Sequence, residues 1–358
     1  MASELQLSVP ERRGTGAFKW DLAAEGELPM WVADMDFAVA PEITAALAER
    51  IAHPVFGYAG VPRSYRDALA AWLAERHAWE LDPRALTVMP SVMAAMSMIV
   101  DELTAPGDRV VTFAPVYGPF DRVVRGQGRE LVRVPLRQTR AADGGVQYAM
   151  DPQALEHALA DGPRASLLLL CSPHNPGGRV WSPQELAAVR DVAARAGVPV
   201  LADEIHADLT FPGAVMTPWL SLGAATERDT ALIAPSKTFN IPGLPTATAI
   251  AAGEPWRRRL RELLEVRKLD LPNLLAMTAA EAAYRHGGGW LDAVRGTIRQ
   301  HYERVRAELS DLDGVRVHSM EGTFIVWIDA GERWGVGAGD GASPGAGGVA
   351  QGGAMPEA

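Results

Sequence analysis

Short apolar runs alternate with stretches of helical period along most of the chain. The runs at Leu86–Met89, Arg109–Phe113, Leu131–Val134, Ser166–Cys171, Pro199–Ala202, Ala231–Ala234 and Thr246–Ala251 predict strands. Several are apolar at every position, as in Leu167–Leu170, which suits strands covered on both faces. The stretches Pro41–Ile51, Tyr65–Glu75, Met93–Leu103 and Pro183–Ala196 carry apolar residues at helical spacing. The last opens with Ser182 as N-cap, Pro183 at the first helical position and Glu185 closing a capping box. Strand–helix alternation of this kind predicts an α/β fold with a mainly parallel sheet. A later helical block follows at Pro255–Lys268, Leu275–Arg285 and Trp290–Leu309, with Gly287 to Gly289 separating the last two, and a further strand is expected at Thr323–Ile328. No internal repeat is present. From Gly331 to Ala358 the periodicity disappears: ten glycines in 28 residues predict a flexible tail that buries no core.

Composition narrows the class. The 358 residues correspond to one large or two medium domains, and 48% hydrophobic content is ample for a buried core. The net charge of −10 and the lack of a basic block argue against a nucleic-acid partner. A single cysteine, Cys171, excludes an intrachain disulfide and a cysteine-rich zinc site. No apolar stretch reaches the roughly 18 residues of a membrane span, and the charged N-terminus does not read as a signal peptide, so a soluble cytoplasmic protein is expected. Lysine occurs only at Lys19, Lys237 and Lys268.

Ligands of open α/β sheets bind at the carboxyl ends of the strands. The segments following the predicted strands there offer Tyr117, Asn175, Asp203 with His206, and Lys237. Each has an ordinary reading. A lone lysine is usually solvated, an aspartate closing a strand is usually a cap, Asn175 suits a turn between prolines, Tyr117 and His206 can simply pack, and Cys171 is best read as a small buried hydrophobe. Their occurrence in order at four strand ends changes the odds. Pyridoxal phosphate needs a lysine for its Schiff base, an acid for its pyridinium nitrogen, a ring to stack on and a donor to its phenolic oxygen. Competing sites are poorly represented: there is no Gly-x-Gly-x-x-Gly, no Walker loop and no His-Glu-x-x-His. The one Gly-x-Ser-x-Gly, at Gly341–Gly345, lies in the glycine-rich tail without a strand before it.

Several motifs carry a family resemblance. They are Lys19-Trp20-Asp21, Leu28 to Phe37 with its Trp-Val-Ala-Asp-Met-Asp-Phe run, Phe56-Gly57-Tyr58, Pro115 to Phe120, Pro173 to Arg179, Asp203 to Leu209, Pro235 to Asn240 and Glu321 to Phe324. Across about residues 13–330 the chain resembles fold-type I pyridoxal-phosphate enzymes of the class I/II aminotransferase superfamily, within them the cystathionine β-lyase (C–S lyase) branch of the MalY/PatB type. The resemblance implies an α/β fold with a seven-stranded, mainly parallel sheet. It implies a large cofactor domain over residues 46–288 and a small domain built from residues 1–45 and 289–330, incomplete at its C-terminal end.

The resemblance also assigns roles. Lys237 would bind the cofactor covalently and move the substrate Cα proton. Asp203 would pair with the pyridine nitrogen, Asn175 with the phenolic oxygen, and Tyr117 would lie over the ring. His206 stands where many aminotransferases carry tyrosine. Backbone N–H groups of Val92 and Met93 would hold the phosphate, with Ser236 adding a contact; the family's usual glycine before them is Ser91 here. Tyr58 would reach the phosphate of a neighbouring subunit, implying a homodimer. Trp31 to Ala33 would line the substrate pocket.

The implied reaction is β-elimination from a sulfur amino acid such as L-cystathionine, giving a thiol, pyruvate and ammonia. An aminotransferase, or a cofactor-binding protein without turnover, would use the same residues. The family's carboxylate-gripping arginine belongs to a segment replaced here by the glycine-rich tail. Arg333 is the only arginine after Asp329 and has no matching motif. The tail therefore reads as a truncation or frameshift product, and impaired activity is expected.

Overall fold

The computed structural model describes residues 7–163 and 165–331. Its central sheet has seven strands: β1 Leu86–Met89, β2 Arg109–Ala114, β3 Glu130–Pro135, β4 Ala165–Cys171, β5 Val200–Asp203, β6 Thr230–Ile233 and β7 Ala247–Ala251. Their order is β1-β7-β6-β5-β4-β2-β3. Strands β2 to β6 pair in parallel, whereas β7 is antiparallel to both β6 and β1. Strand β1 therefore points the same way as β6, and only β7 is reversed. This is the mainly parallel sheet that the apolar runs predict, with the seven strands that the family resemblance implies.

The helices of seven residues or more are, in chain order among the described residues, α1 Pro41–Ala52, α2 Arg63–His77, α3 Val92–Leu103, α4 Pro119–Arg125, α5 Pro152–Ala160, α6 Pro183–Ala196, α7 Glu254–Val266, α8 Leu274–His286 and α9 Gly288–Leu309. They explain why the strands are apolar throughout. Successive strand residues point to opposite faces. Leu167, Leu169 and Cys171 pack with Met96 and Ile99 of α3, Phe120 of α4 and Leu260 of α7. Leu168 and Leu170 pack on the other face with Leu155 of α5 and Leu186 and Val189 of α6. At the β1–β7–β6 end, Leu86, Ile250 and Ile233 meet Ile43, Leu69, Trp72, Met277 and Leu291 from α1, α2, α8 and α9. Full burial of each such side chain contributes roughly 1.5–3 kcal/mol. Helix α6 starts with the expected box: Ser182 Oγ accepts from Glu185 N, and Glu185 Oε2 accepts from Ser182 N at 2.9 Å.

The strand expected at Thr323–Ile328 is not formed as such. Thr323 has φ +66° and its N–H donates to Leu209 O at 2.7 Å, so the extended run is broken at its start; only Ile328–Asp329 pairs, with Arg316–Val317. The break between the last two helices is Gly287 alone, because Gly288 and Gly289 already belong to α9. A Cβ at Gly287 would lie 2.5 Å from Phe239 and 2.7 Å from Ala283 O, so close packing of the turn requires the glycine. Helices α4 and α5 and the hairpin of Arg137–Arg140 with Val146–Ala149 add to the predicted elements. Residues 332–358, including Arg333 and the Gly-x-Ser-x-Gly match, lie outside the described residues. Among the described residues no helix is long and apolar enough to cross a membrane.

Candidate active site

Residues that follow β1, β2, β4, β5 and β6, joined by Ala33 and by Pro242, Pro245 and Thr246 before β7, line one open cavity of about 190 Å³. Parallel strand direction is the cause: it brings the residues after each strand to the same edge.

Asp203 is the last residue of β5, in register with Cys171 of β4. It is buried, and Oδ1 accepts from Ile205 N at 3.1 Å. Burial lifts its pKa to about 6, against the opposing effects of that N–H and of the Lys237 charge. Lys237 lies in the helical turn Pro235–Thr238 directly after β6. Its Nζ donates to Ala33 O at 2.5 Å. Burial pulls its pKa below the ordinary ammonium value, while the charges of Asp34 and Asp203 oppose the fall.

The Lys237 turn is fixed from two directions. Behind it, Thr238 Oγ1 donates to Asp208 Oδ2 at 2.8 Å. The other Asp208 oxygen meets Trp72 Nε1 at 2.9 Å and His77 Nε2 at 2.8 Å. In front, Asn240 accepts from Met35 N at 3.0 Å and donates to Met35 O at 2.9 Å and Phe37 O at 2.8 Å.

His206 is buried and lines the cavity, yet its Nδ1 has no hydrogen-bond partner among the described residues; the same is true of Thr246 Oγ1. Burial, then the nearby Lys237 charge, takes His206 down to about 3, so its ring is neutral at physiological pH. Its ring stands edge-on to Phe324, centroids 5.8 Å apart. Cys171 shapes the neighbouring loop: its Sγ accepts from Asn175 N at 3.3 Å and burial holds the thiol protonated. Gly178, after Asn175-Pro176-Gly177, has φ +66°, and a Cβ there would lie 2.6 Å from Met320 Cγ.

Val92 and Met93 are the first residues of α3, where N–H groups have no intrahelical acceptor. Ser91 precedes them with φ −165° and ψ 167°, an extended conformation that needs no glycine, and its Oγ caps the helix by accepting from Ala94 N at 3.1 Å. Tyr117 is 37% exposed at the cavity wall, edge-on to Phe120.

The cavity thus gathers Ala33, Val92, Met93, Tyr117, Asn175, Asp203, His206, Ser236 and Lys237. It does not gather Tyr58, which is 96% exposed, or Trp31, which is 53% exposed and stands edge-on to Phe18. Both are apolar-bodied side chains facing outward on this chain, so neither contributes to the wall.

Two features of the surroundings carry no role in the sequence reading. Asn240 is one. The other is a charge cage around the Trp31–Phe37 segment. Arg12 binds Asp34 at 2.8 Å and Asp36 at 2.7 Å, Lys19 lies 3.0 Å from each, and Trp20 Nε1 donates to Asp36 at 2.8 Å. Burial pushes both carboxyls up, but these hydrogen bonds and charges outweigh it and leave them below their ordinary value. Two aspartates in an otherwise apolar run, in a chain with three lysines, were the available signal.

A fold of this topology with a lysine and an acid at adjacent strand ends defines the class. The chain matches the family described as aminotransferase class I and II over residues 29–334, and it belongs to that family. It is 39% identical to cystathionine beta-lyase PatB of Bacillus subtilis (strain 168) over 326 residues, covering 89% of this chain and 83% of that protein. It is 34% identical to the protein MalY of Escherichia coli (strain K12), covering 90% of this chain and 82% of that one. Among solved structures, cystalysin from Treponema denticola, which contains a pyridoxal 5'-phosphate cofactor, superposes with a TM-score of 0.84 at 31% identity, over 90% of this chain and 82% of that one.

Proposed function

We propose that the chain is a pyridoxal-phosphate-dependent carbon–sulfur β-lyase that cleaves a sulfur amino acid such as L-cystathionine to a thiol, pyruvate and ammonia. The observation that carries this reading is the convergence of Lys237, Asp203, Asn175, Tyr117 and the α3 N-terminus on one cavity, in which the buried His206 Nδ1 and Thr246 Oγ1 lack partners among the described residues.

These groups fit the cofactor. A buried Asp203 suits a cationic ring nitrogen, Lys237 its covalent attachment, Asn175 its phenolic oxygen and Tyr117 a ring face. Val92 and Met93 N–H groups with Ser236 suit its phosphate, as helix N-termini do. His206 Nδ1 and Thr246 Oγ1 are polar atoms left for a bound group. When bound, the cofactor supplies an electron sink for the charge that develops at the substrate Cα. Lys237 takes the Cα proton, a task its depressed pKa suits by raising the fraction of free amine. Asp203, ionised above about 6, keeps the ring nitrogen charged. Burial holds Cys171 protonated and His206 neutral.

Slow turnover belongs to the same proposal. Among the described residues lining the cavity Lys237 is the only cation, whereas a substrate carboxylate is held best by a guanidinium. So do the assembly as a homodimer and the division into a large domain over 46–288 and a small one from 1–45 and 289–330.

The test is a product assay with L-cystathionine and no added keto acid. Pyruvate release supports the lyase. Turnover that appears only with a keto acid supports an aminotransferase. No turnover, with cofactor trapped by borohydride on Lys237, supports a protein that binds the cofactor without using it.

A further inference from the structure

We propose that Asn240 is a positioning residue: it locks the Trp31–Phe37 segment onto the Lys237 turn, so that the Ala33 carbonyl receives and aims the free Lys237 amine. The inference rests on the reading of Lys237 as the reactive amine.

Asn240 adopts φ +55°, a left-handed conformation that asparagine tolerates better than other non-glycine residues. Glycine would be the easy choice there; the asparagine side chain needs another reason. Its amide oxygen and both donor directions are used on backbone more than 200 residues away: Met35 N, Met35 O and Phe37 O. The amide therefore reads both polar groups of Met35, as a sheet rung would. Met35 is two residues from Ala33, and Asn240 is three from Lys237. The bond from Lys237 Nζ to Ala33 O and the Asn240 bonds thus join the same two segments at two points. The first must break whenever the amine reacts. The Asn240 bonds need not, and they keep Ala33 O in place for the amine's return. The Arg12–Lys19 cage grips Asp34 and Asp36 of the same segment. That cage also grips the segment's backbone, Arg12 donating to Met35 O at 3.2 Å and Lys19 to Asp34 O at 2.8 Å, but it is the Asn240 bonds that tie this backbone to the chain just after Lys237.

A carbonyl acceptor favours the charged ammonium. Without it the Lys237 amine is no longer held against the segment and reacts faster at neutral pH. Asn240→Gly removes the three bonds and leaves the left-handed backbone unstrained. The experiment is competitive acetylation of the full chain, freed of bound cofactor with hydroxylamine, across a pH series and read peptide by peptide. With only Lys19, Lys237 and Lys268 present, each site is resolved. Relative to exposed Lys268, labelling of Lys237 in Asn240→Gly should rise roughly three- to tenfold at neutral pH, while Lys19 stays at the parental level. An unchanged or slower Lys237 overturns the proposal. A joint rise of Lys19 and Lys237 also overturns it, because Asn240 would then only dock the segment as a whole. Borohydride trapping on untreated parent is read separately: no cofactor on the Lys237 peptide sinks the proposed function and leaves the labelling result interpretable.

Discussion

At the scale of single residues, burial sets the chemistry of the neighbouring strand ends β5 and β6. Lys237→Ala should abolish borohydride-trapped cofactor, since Lys19 is held by Asp34 and Asp36 and Lys268 is exposed away from the cavity. Cofactor found on the Lys268 peptide would reassign the site. Asp203→Asn should weaken cofactor binding by roughly 1.5–3 kcal/mol and lower kcat by roughly 10²-fold or more, because an amide cannot hold a ring nitrogen charged; a near-parental kcat would refute this role. Glu204, buried beside it and accepting from Trp219 N at 2.6 Å, has its pKa raised to about 8 by burial and by Asp203. Both acids bind protons more tightly in the folded chain. Their contribution to stability is complete below the ordinary values of 3.8 and 4.5 and is lost as pH rises towards about 6 and about 8. Glu204→Gln, which keeps an acceptor for Trp219, should flatten that decline by on the order of 1–3 kcal/mol, read from urea midpoints at about pH 5 and pH 9. A parallel decline in both proteins would count against it. Lys237, Asp203 and Asn175 were legible in the sequence because each follows a recognisable strand. Asn240 and Thr246 were not, because their partners or lack of partners depend on segments distant in the chain.

At the scale of elements, the apolar runs were legible because a strand covered on both faces has no polar position to spare, and Leu167–Leu170 shows this directly. Thr323–Ile328 misled for the same reason: its residues have strand propensity, but the contacts of Gly322 and Thr323 with Gly178 and Leu209 turn the chain before a ladder can form. The start of α3 shows what a family departure means physically. Ser91 is extended and caps the helix, so it serves the element whose N-terminus the phosphate would use. Ser91→Ala should cost about 0.5–2 kcal/mol of stability, whereas Ser91→Gly should cost only a few tenths. Thermal unfolding of the two variants measures this; equal losses would show that Oγ is not the stabilising group. Cofactor affinity in Ser91→Gly should stay near parental, because the donors proposed for the phosphate are backbone N–H groups.

At the scale of the molecule, the cavity leaves two expected residues, Tyr58 and Trp31, unused. Tyr58 stands on an exposed loop with Val55 and Phe56, and Leu28, Met30 and Trp31 are also exposed. The loop is not loose. Arg50 donates to His53 O at 3.2 Å and to Val55 O at 2.8 Å, and its guanidinium lies over the Phe56 ring. A loop held in this way presents Tyr58 outward, and that much exposed apolar surface favours a partner. In the proposed homodimer each Tyr58 would reach the other subunit, and a site it completes would be shared. The chain should therefore elute as a dimer in light-scattering chromatography. Shared sites predict more than association. Tyr58→Ala and Lys237→Ala chains, each nearly inactive, should recover activity when unfolded and refolded together. Half of the dimers would be mixed, and each mixed dimer would carry one intact site and one with both lesions, giving about a quarter of the parental rate. Recovery near that level requires Tyr58 to act across the interface. A dimer without recovery would keep the assembly but confine Tyr58 to its own subunit, and a monomer with full activity would remove it from the site altogether.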